Sequence, residues 1–219
     1  MELYRMHYER QFARQEWQYP AMARKTFGPE CEVEQICEYD VWQCIKTAPK
    51  RKAPGPSGIP NELLVPYSKS LISCVTYLFN RILNTGMVPT AWKLAHIYPV
   101  PKKGDLSVIG NYRPISLTEN LRKLFERVIA VRVRDVIEPM SIGQGGFRRK
   151  RSTLDQVSTL QEMLLQNRGS HIAFLNIKAA YDSVDRSIMW RKLQDLQCPQ
   201  YLLRVLQGMF DENTAKVQT

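Results

Sequence analysis

Phe174-Leu175-Asn176-Ile177-Lys178-Ala179-Ala180-Tyr181-Asp182-Ser183-Val184-Asp185 is the stretch on which the fold turns. Over residues 171–178, Ile172, Phe174 and Asn176 alternate with Ala173, Leu175 and Ile177. That period of two predicts a strand. Asp182 and Asp185 follow it, and aspartates there suit the cap of a following helix. Two helices are expected next, near 185–196 and 200–210.

Working upstream, Leu154, Val157, Leu160 and Leu164 give a helical pattern over 154–165. A longer helix is expected over 117–137, with Leu121, Leu124, Phe125, Val128 and Val131 inward and breakers at Pro139 and Gly143 to Gly146. Residues 95–100 (Ala-His-Ile-Tyr-Pro-Val) read as a short strand, and Pro101-Lys102-Lys103-Gly104-Asp105 as a turn. Asn61 is placed to cap a helix to about Asn84 through Leu64, Tyr67, Leu71, Val75, Leu78 and Ile82, stopped by Gly86 and Pro89. The loop before it, Lys52-Ala53-Pro54-Gly55-Pro56-Ser57-Gly58-Ile59-Pro60, is too rich in proline and glycine for regular structure. Residues 32–47 read as a short helix, and 1–27 as a helix or an arm. The sum is a helix-rich α+β pattern with few strands.

The 219 residues carry a net charge of +10. Residues 91–151 hold 13 Lys or Arg against five Asp or Glu, so +8 of the +10 lies there. A basic concentration of this kind suits a nucleic-acid partner, and equally a solvated basic face. Five cysteines without a C-x-x-C pair, and three scattered histidines, argue against a zinc site. Cys37 and Cys44 are spaced to share a helix face as small buried hydrophobes. No apolar run approaches the ~20 residues of a membrane span. A soluble intracellular protein of nucleus or cytoplasm, without membrane contact, is the expectation.

Five stretches then resemble one family in one order. Residues 52–60 are similar to K-A-P-G-P-D-G-I-P, the segment that opens LINE-type reverse transcriptases, and Trp92 through Asp105 to the first fingers motif. Asn111-Tyr112-Arg113-Pro114-Ile115-Ser116-Leu117 resembles N-Y-R-P-I-S-L. Gln144, Gly146-Phe147-Arg148 and Arg151-Ser152-Thr153 resemble Q-x-G-F-R-x-x-R-S-T. Residues 174–185 resemble F-L-D-I-K-x-A-Y-D-S-V-D, the first palm motif. The chain is thus similar, over roughly 32–219, to the reverse transcriptase of a non-LTR (LINE-type) retrotransposon.

The resemblance implies the fingers and part of the palm of a right-hand polymerase. Residues 1–31 would be an N-terminal arm or helix. The fingers would run over about 32–168 and the first part of the palm over about 169–219. It implies RNA-directed DNA synthesis from deoxynucleoside triphosphates on an RNA or DNA template-primer, with Mg2+ in the intact family. Lys102 and Arg113 stand where the family contacts the triphosphate, and Tyr181 where an aromatic ring lies under the sugar, while Lys103 is expected among the nucleic-acid-binding cations. Arg148, Arg149, Lys150 and Arg151 form a cationic run that tracks a template backbone or is simply a solvated loop. Ser57 replaces the usual Asp, so a looser turn is expected there. Asn176 stands where the family has its first metal-binding Asp, and no adjacent Asp-Asp pair occurs in the sequence. The expectation is a truncated chain that binds metal poorly and does not polymerise alone. The alternative is a non-catalytic nucleic-acid-binding remnant or partner module.

Overall fold

The computed structural model describes residues 2–13, 32–64, 68–137, 141–148, 150–167, 169–177 and 179–218. The expectations for most of the arm, and those for Tyr67, Pro139, Arg149 and Lys178, lie outside the described residues. The chain divides into two units, Met1–Val136 with Asp185–Thr219, and Ile137–Val184.

The first unit is built on helices α1 (Glu2–Ala13), α2 (Glu38–Lys46), α3 (Lys69–Thr85) and α4 (Asn120–Ile137). Helix α5 (Thr153–Gln166) belongs to the second unit, and α6 (Arg186–Asp195) and α7 (Gln200–Phe210) return to the first. Phe79 of α3, Phe125 of α4 and Trp92 close the core, with ring centroids 5.0 Å apart for Phe79–Phe125 and 5.7 Å for Trp92–Phe125. Such tilted pairs add about 1 kcal/mol each beyond their burial. Val41, Ile45, Ile82, Leu202 and Val205 pack around them. Val131, expected inward, is 53% exposed. Cys44 packs at the edge of the core, but Cys37 is exposed just before α2, so the two share no buried face.

Two helix starts differ from the sequence reading, each for a local reason. Residues 32–37 are not helical because side chains from two other helices take up their backbone. Asn80 accepts from the Ile36 N–H at 2.7 Å and donates to the Ile36 carbonyl at 2.9 Å. The Arg132 guanidinium donates to the carbonyls of Glu34 and Gln35. The helix expected from Asn61 begins instead at Lys69, where the Ser68 hydroxyl accepts from the Leu71 N–H at 3.1 Å. Pro66 has no amide to donate, so it does not suit a helix interior. Residues Asn61–Leu64 form a separate 3-10 turn, and Asn61 donates to the Pro49 carbonyl. Gly86 ends α3 as expected, with φ +72 in the left-handed region that glycine tolerates.

Three strands form one sheet: β1 (Leu94–Pro101), β2 (Tyr112–Leu117) and β3 (Thr214–Val217), in the order β2-β1-β3. Strand β2 pairs antiparallel with β1, setting Arg113 opposite Val100 and Pro114 opposite Pro99. Strand β3 pairs parallel with β1 over Leu94 to Ile97. Its last link is the Gln218 N–H to the Ile97 carbonyl at 2.8 Å. Beyond that point Pro99 has no N–H to offer a third strand.

The strand expected over 171–178 is absent: residues 171–177 are irregular and exposed. Alternation alone does not hold a strand, because an unpaired one leaves its backbone to water and buries nothing. Helix α5 is present as expected, with Ser152 capping it and accepting from the Asp155 N–H at 3.2 Å. Arg122 is a further fixed point of the first unit. Its buried guanidinium donates to the carbonyls of Trp92, just before β1, and Met209, at the end of α7, and pairs with Glu126.

Candidate functional site

The β1–β2 hairpin holds its own loop closed. The Lys102 N–H donates to the Asn111 carbonyl at 2.6 Å. Asn111 in turn donates to the Asp105 carbonyl at 2.8 Å, and the Tyr112 hydroxyl to the Leu106 carbonyl at 3.0 Å. The Asp105 carboxylate accepts from Ser107, and these bonds hold its carboxyl below the usual carboxylate range. Gly104 has φ +127, a conformation that side-chain-bearing residues avoid. Tyr4 of α1 meets Tyr112 edge-on at 5.2 Å.

Lys102, Lys103 and Arg113 therefore sit at one end of a tied hairpin. The Lys102 ammonium donates to the Gly110 carbonyl at 3.1 Å. Lys103 and Arg113 are exposed and make no side-chain hydrogen bond or ion pair among the described residues. A guanidinium offers a bidentate fork to phosphate oxygens and an ammonium a point charge. This end can bind anionic oxygens without first breaking ion pairs.

The Gly-Pro loop is latched to the segment that leaves β2. A Cβ on Gly55 would lie 2.4 Å from the Thr118 carbonyl oxygen, so only glycine permits this approach. The Ser57 N–H donates to Glu119 at 2.7 Å and its hydroxyl to the other carboxylate oxygen. Asn120 donates to the Ile59 carbonyl at 2.7 Å. Glu119 and Asn120 are both buried. Serine at 57 adds one side-chain bond, its hydroxyl to Glu119, to the backbone bond made at the same position. The sequence reading missed Glu119 and Asn120. The signal that could have found them is a polar pair directly after a strand and before an apolar helical stripe.

In the second unit, Asn176 lies in the exposed 171–177 segment with Phe174, Leu175 and Ile177. The Asp182 and Ser183 amides both donate to the Ala179 carbonyl at 3.0 Å, forming a turn that presents Tyr181. Tyr181 is 80% exposed and meets Phe147 edge-on at 6.5 Å. Arg148 donates to the Ser141 carbonyl at 3.3 Å. Lys150 and Arg151 are exposed. Asp185, in the first unit, caps α6 by accepting from Ser187 and Ile188, and the Ser187 bond lowers its pKa most.

Residues 100–219 match the family described as reverse transcriptase (RNA-dependent DNA polymerase). The chain belongs to the reverse transcriptases of non-LTR, LINE-type retrotransposons. Similar proteins of Drosophila melanogaster agree. The probable RNA-directed DNA polymerase from transposon BS is 33% identical over 69% of this chain and 18% of its own length. The probable RNA-directed DNA polymerase from transposon X-element is 34% identical over 70% of the chain and 17% of its own length. The polymerase from mobile element jockey is 29% identical over 88% of the chain and 24% of its own length. The chain thus spans about a fifth of the length of the relatives it matches.

The family implies a divalent metal in the intact enzyme. The donors here do not fit a two-ion centre. Asn176 offers a neutral amide, Asp185 spends its carboxylate on the α6 cap, and no group of three His, Cys, Asp or Glu side chains comes together among the described residues. Magnesium asks for anionic oxygen ligands. Among the described residues, no helix is long and apolar enough to cross a membrane.

Proposed function

We propose that this chain is the fingers and first part of the palm of an RNA-directed DNA polymerase, catalytically silent by itself. In this reading Lys102 and Arg113 meet the triphosphate of an incoming deoxynucleotide, and Lys103 meets the nucleic acid. Tyr181 lies under its sugar, and Arg148, Arg149, Lys150 and Arg151 follow the template backbone. Asn176 occupies the position of the first metal-binding carboxylate. The observation that carries the binding half is the tied hairpin end with two cations, Lys103 and Arg113, that have no ion pair among the described residues. What carries the silent half is Asn176, which brings an amide oxygen where two divalent ions need negative charge.

The test is incorporation of labelled deoxynucleotide on a primed RNA template with magnesium. The unmodified 219 residues should give none, and measurable synthesis would overturn the reading.

Asn176 also favours a second reading, a nucleic-acid-binding module with no reaction of its own. It is separated from the first by complementation: synthesis restored by adding the rest of a related polymerase as a separate piece supports the polymerase part.

A further inference from the structure

The first unit holds a pocket of about 790 Å3 between the 48–61 loop and one face of α4, apart from the hairpin end. This is within the size range of small-molecule sites. Its apolar lining includes Pro49, Leu117 and Leu124, and its charged lining is Lys52, Lys123, Arg127 and Glu126.

The charges are unevenly satisfied. Glu126 is paired with Arg122 at 2.9 Å. Arg127 spends its guanidinium on the carbonyls of Cys44 and Thr47 and on the Thr47 hydroxyl, at the C-terminal end of α2. Lys52 is exposed and makes no side-chain bond among the described residues. Lys123 is half-buried, and its one hydrogen bond there is to the neutral amide oxygen of Asn120 at 3.2 Å. It has no ion pair to a carboxylate among the described residues. Burial pushes its ammonium pKa down, with Glu126 and Glu119 opposing the shift. A half-buried ammonium held by one neutral group gains from an anion that reaches it. A bare anion would leave the apolar wall wet, whereas a phosphate ester with a flat ring body meets both parts of the lining.

We propose that this pocket is a second nucleotide-binding site, in which Lys123 and Lys52 hold a phosphate while the Pro49, Leu117 and Leu124 surface takes the base. The phosphate is that of a free nucleotide or of a nucleotide unit within a strand. The site is independent of the hairpin end and stands whether or not the chain polymerises.

Equilibrium dialysis of the full chain against labelled adenosine monophosphate tests it. Saturable binding is expected, weakened at least tenfold by Lys123→Met and several-fold by Lys52→Met, and unchanged by Lys192→Met, which removes an exposed cation on α6. Lys123→Met keeps the side-chain length and removes a half-buried charge, so folding should hold. A second readout needs no variant: bound nucleotide should protect Lys123, and not Lys192, from acetylation mapped by mass spectrometry. A short oligodeoxyadenylate that displaces the mononucleotide assigns the site to a strand, and failure to displace it assigns the site to free nucleotide. Binding indifferent to Lys123→Met, an equal loss in Lys192→Met, or no protection of Lys123 by either probe would overturn the proposal.

Discussion

Glu119 receives two hydrogen bonds from Ser57, one from its backbone N–H at 2.7 Å and one from its hydroxyl, 62 residues away in sequence. Glu119 is only 7% exposed, so these bonds face little competition from water. Ser57→Ala should cost about 1–2 kcal/mol, as for a hydrogen bond to a charged group. Ser57→Asp should cost more, about 3 kcal/mol, because it sets a second carboxylate against a buried one. Urea melts of the three proteins give the comparison, and an Asp variant as stable as the parent would show that the latch is not holding the loop.

Arg122 joins the turn before β1 to the end of α7, the helix that leads into β3. Arg122→Met should lower stability by about 3 kcal/mol, since two buried carbonyls lose their donor and Glu126 loses its partner. Arg122→Lys should recover only part of this, because one ammonium cannot copy the fork. If the Lys variant melts with the wild type, the bridge matters less than its geometry implies.

Asp185 has a carboxyl whose pKa is lowered in the folded chain, chiefly by the Ser187 side chain. A lowered folded value means the contribution is full above the unfolded pKa of about 3.9 and fades as pH falls through the folded one. Asp185→Ala should therefore destabilise α6 at neutral pH, and the gap between variant and parent should close below about pH 3.9. Thermal melts across that range check the sign. A gap that widens in acid would mean the carboxylate is not the cap that matters.

Nucleic-acid binding should be weak, indifferent to sequence, and steeply lost as salt rises. Displaced counterions set that slope, and several phosphate contacts cost orders of magnitude between about 50 and 200 mM salt. Fluorescence anisotropy with labelled RNA and DNA measures it. A salt-independent affinity would place the binding energy somewhere other than in the basic segment.

Elements that carry their own local signals were legible in the sequence. The helices α4, α5 and α7 fall within a few residues of the expected spans, and Gly86 stops α3 where a glycine should. Signals that depend on distant partners were not legible. The 32–37 segment looks helical until Asn80 and Arg132 claim its backbone. The 171–178 alternation looks like a strand, and no neighbouring strand pairs with its described residues. Strands β2 and β3 escaped notice, one interrupted by Pro114 and the other only four residues long. At the candidate site, sequence resemblance named Lys102 and Arg113, and the hairpin register brings them to one end. The latch by Glu119 and the pocket around Lys123 had no motif to announce them.

Residue 176 decides whether this chain brings a charged ligand to the metal site. The measurement is deoxynucleotide incorporation on a primed RNA template with magnesium, by this chain fused to the intact remainder of a related polymerase, with and without Asn176→Asp. Restoring a ligand charge between two divalent ions is worth several kcal/mol of barrier, and each ~1.4 kcal/mol is tenfold in rate. The fusion carrying Asn176 should show low residual synthesis, and Asn176→Asp should raise it by roughly a hundredfold or more. Equal rates from the two fusions would contradict the assignment of residue 176 to the metal site.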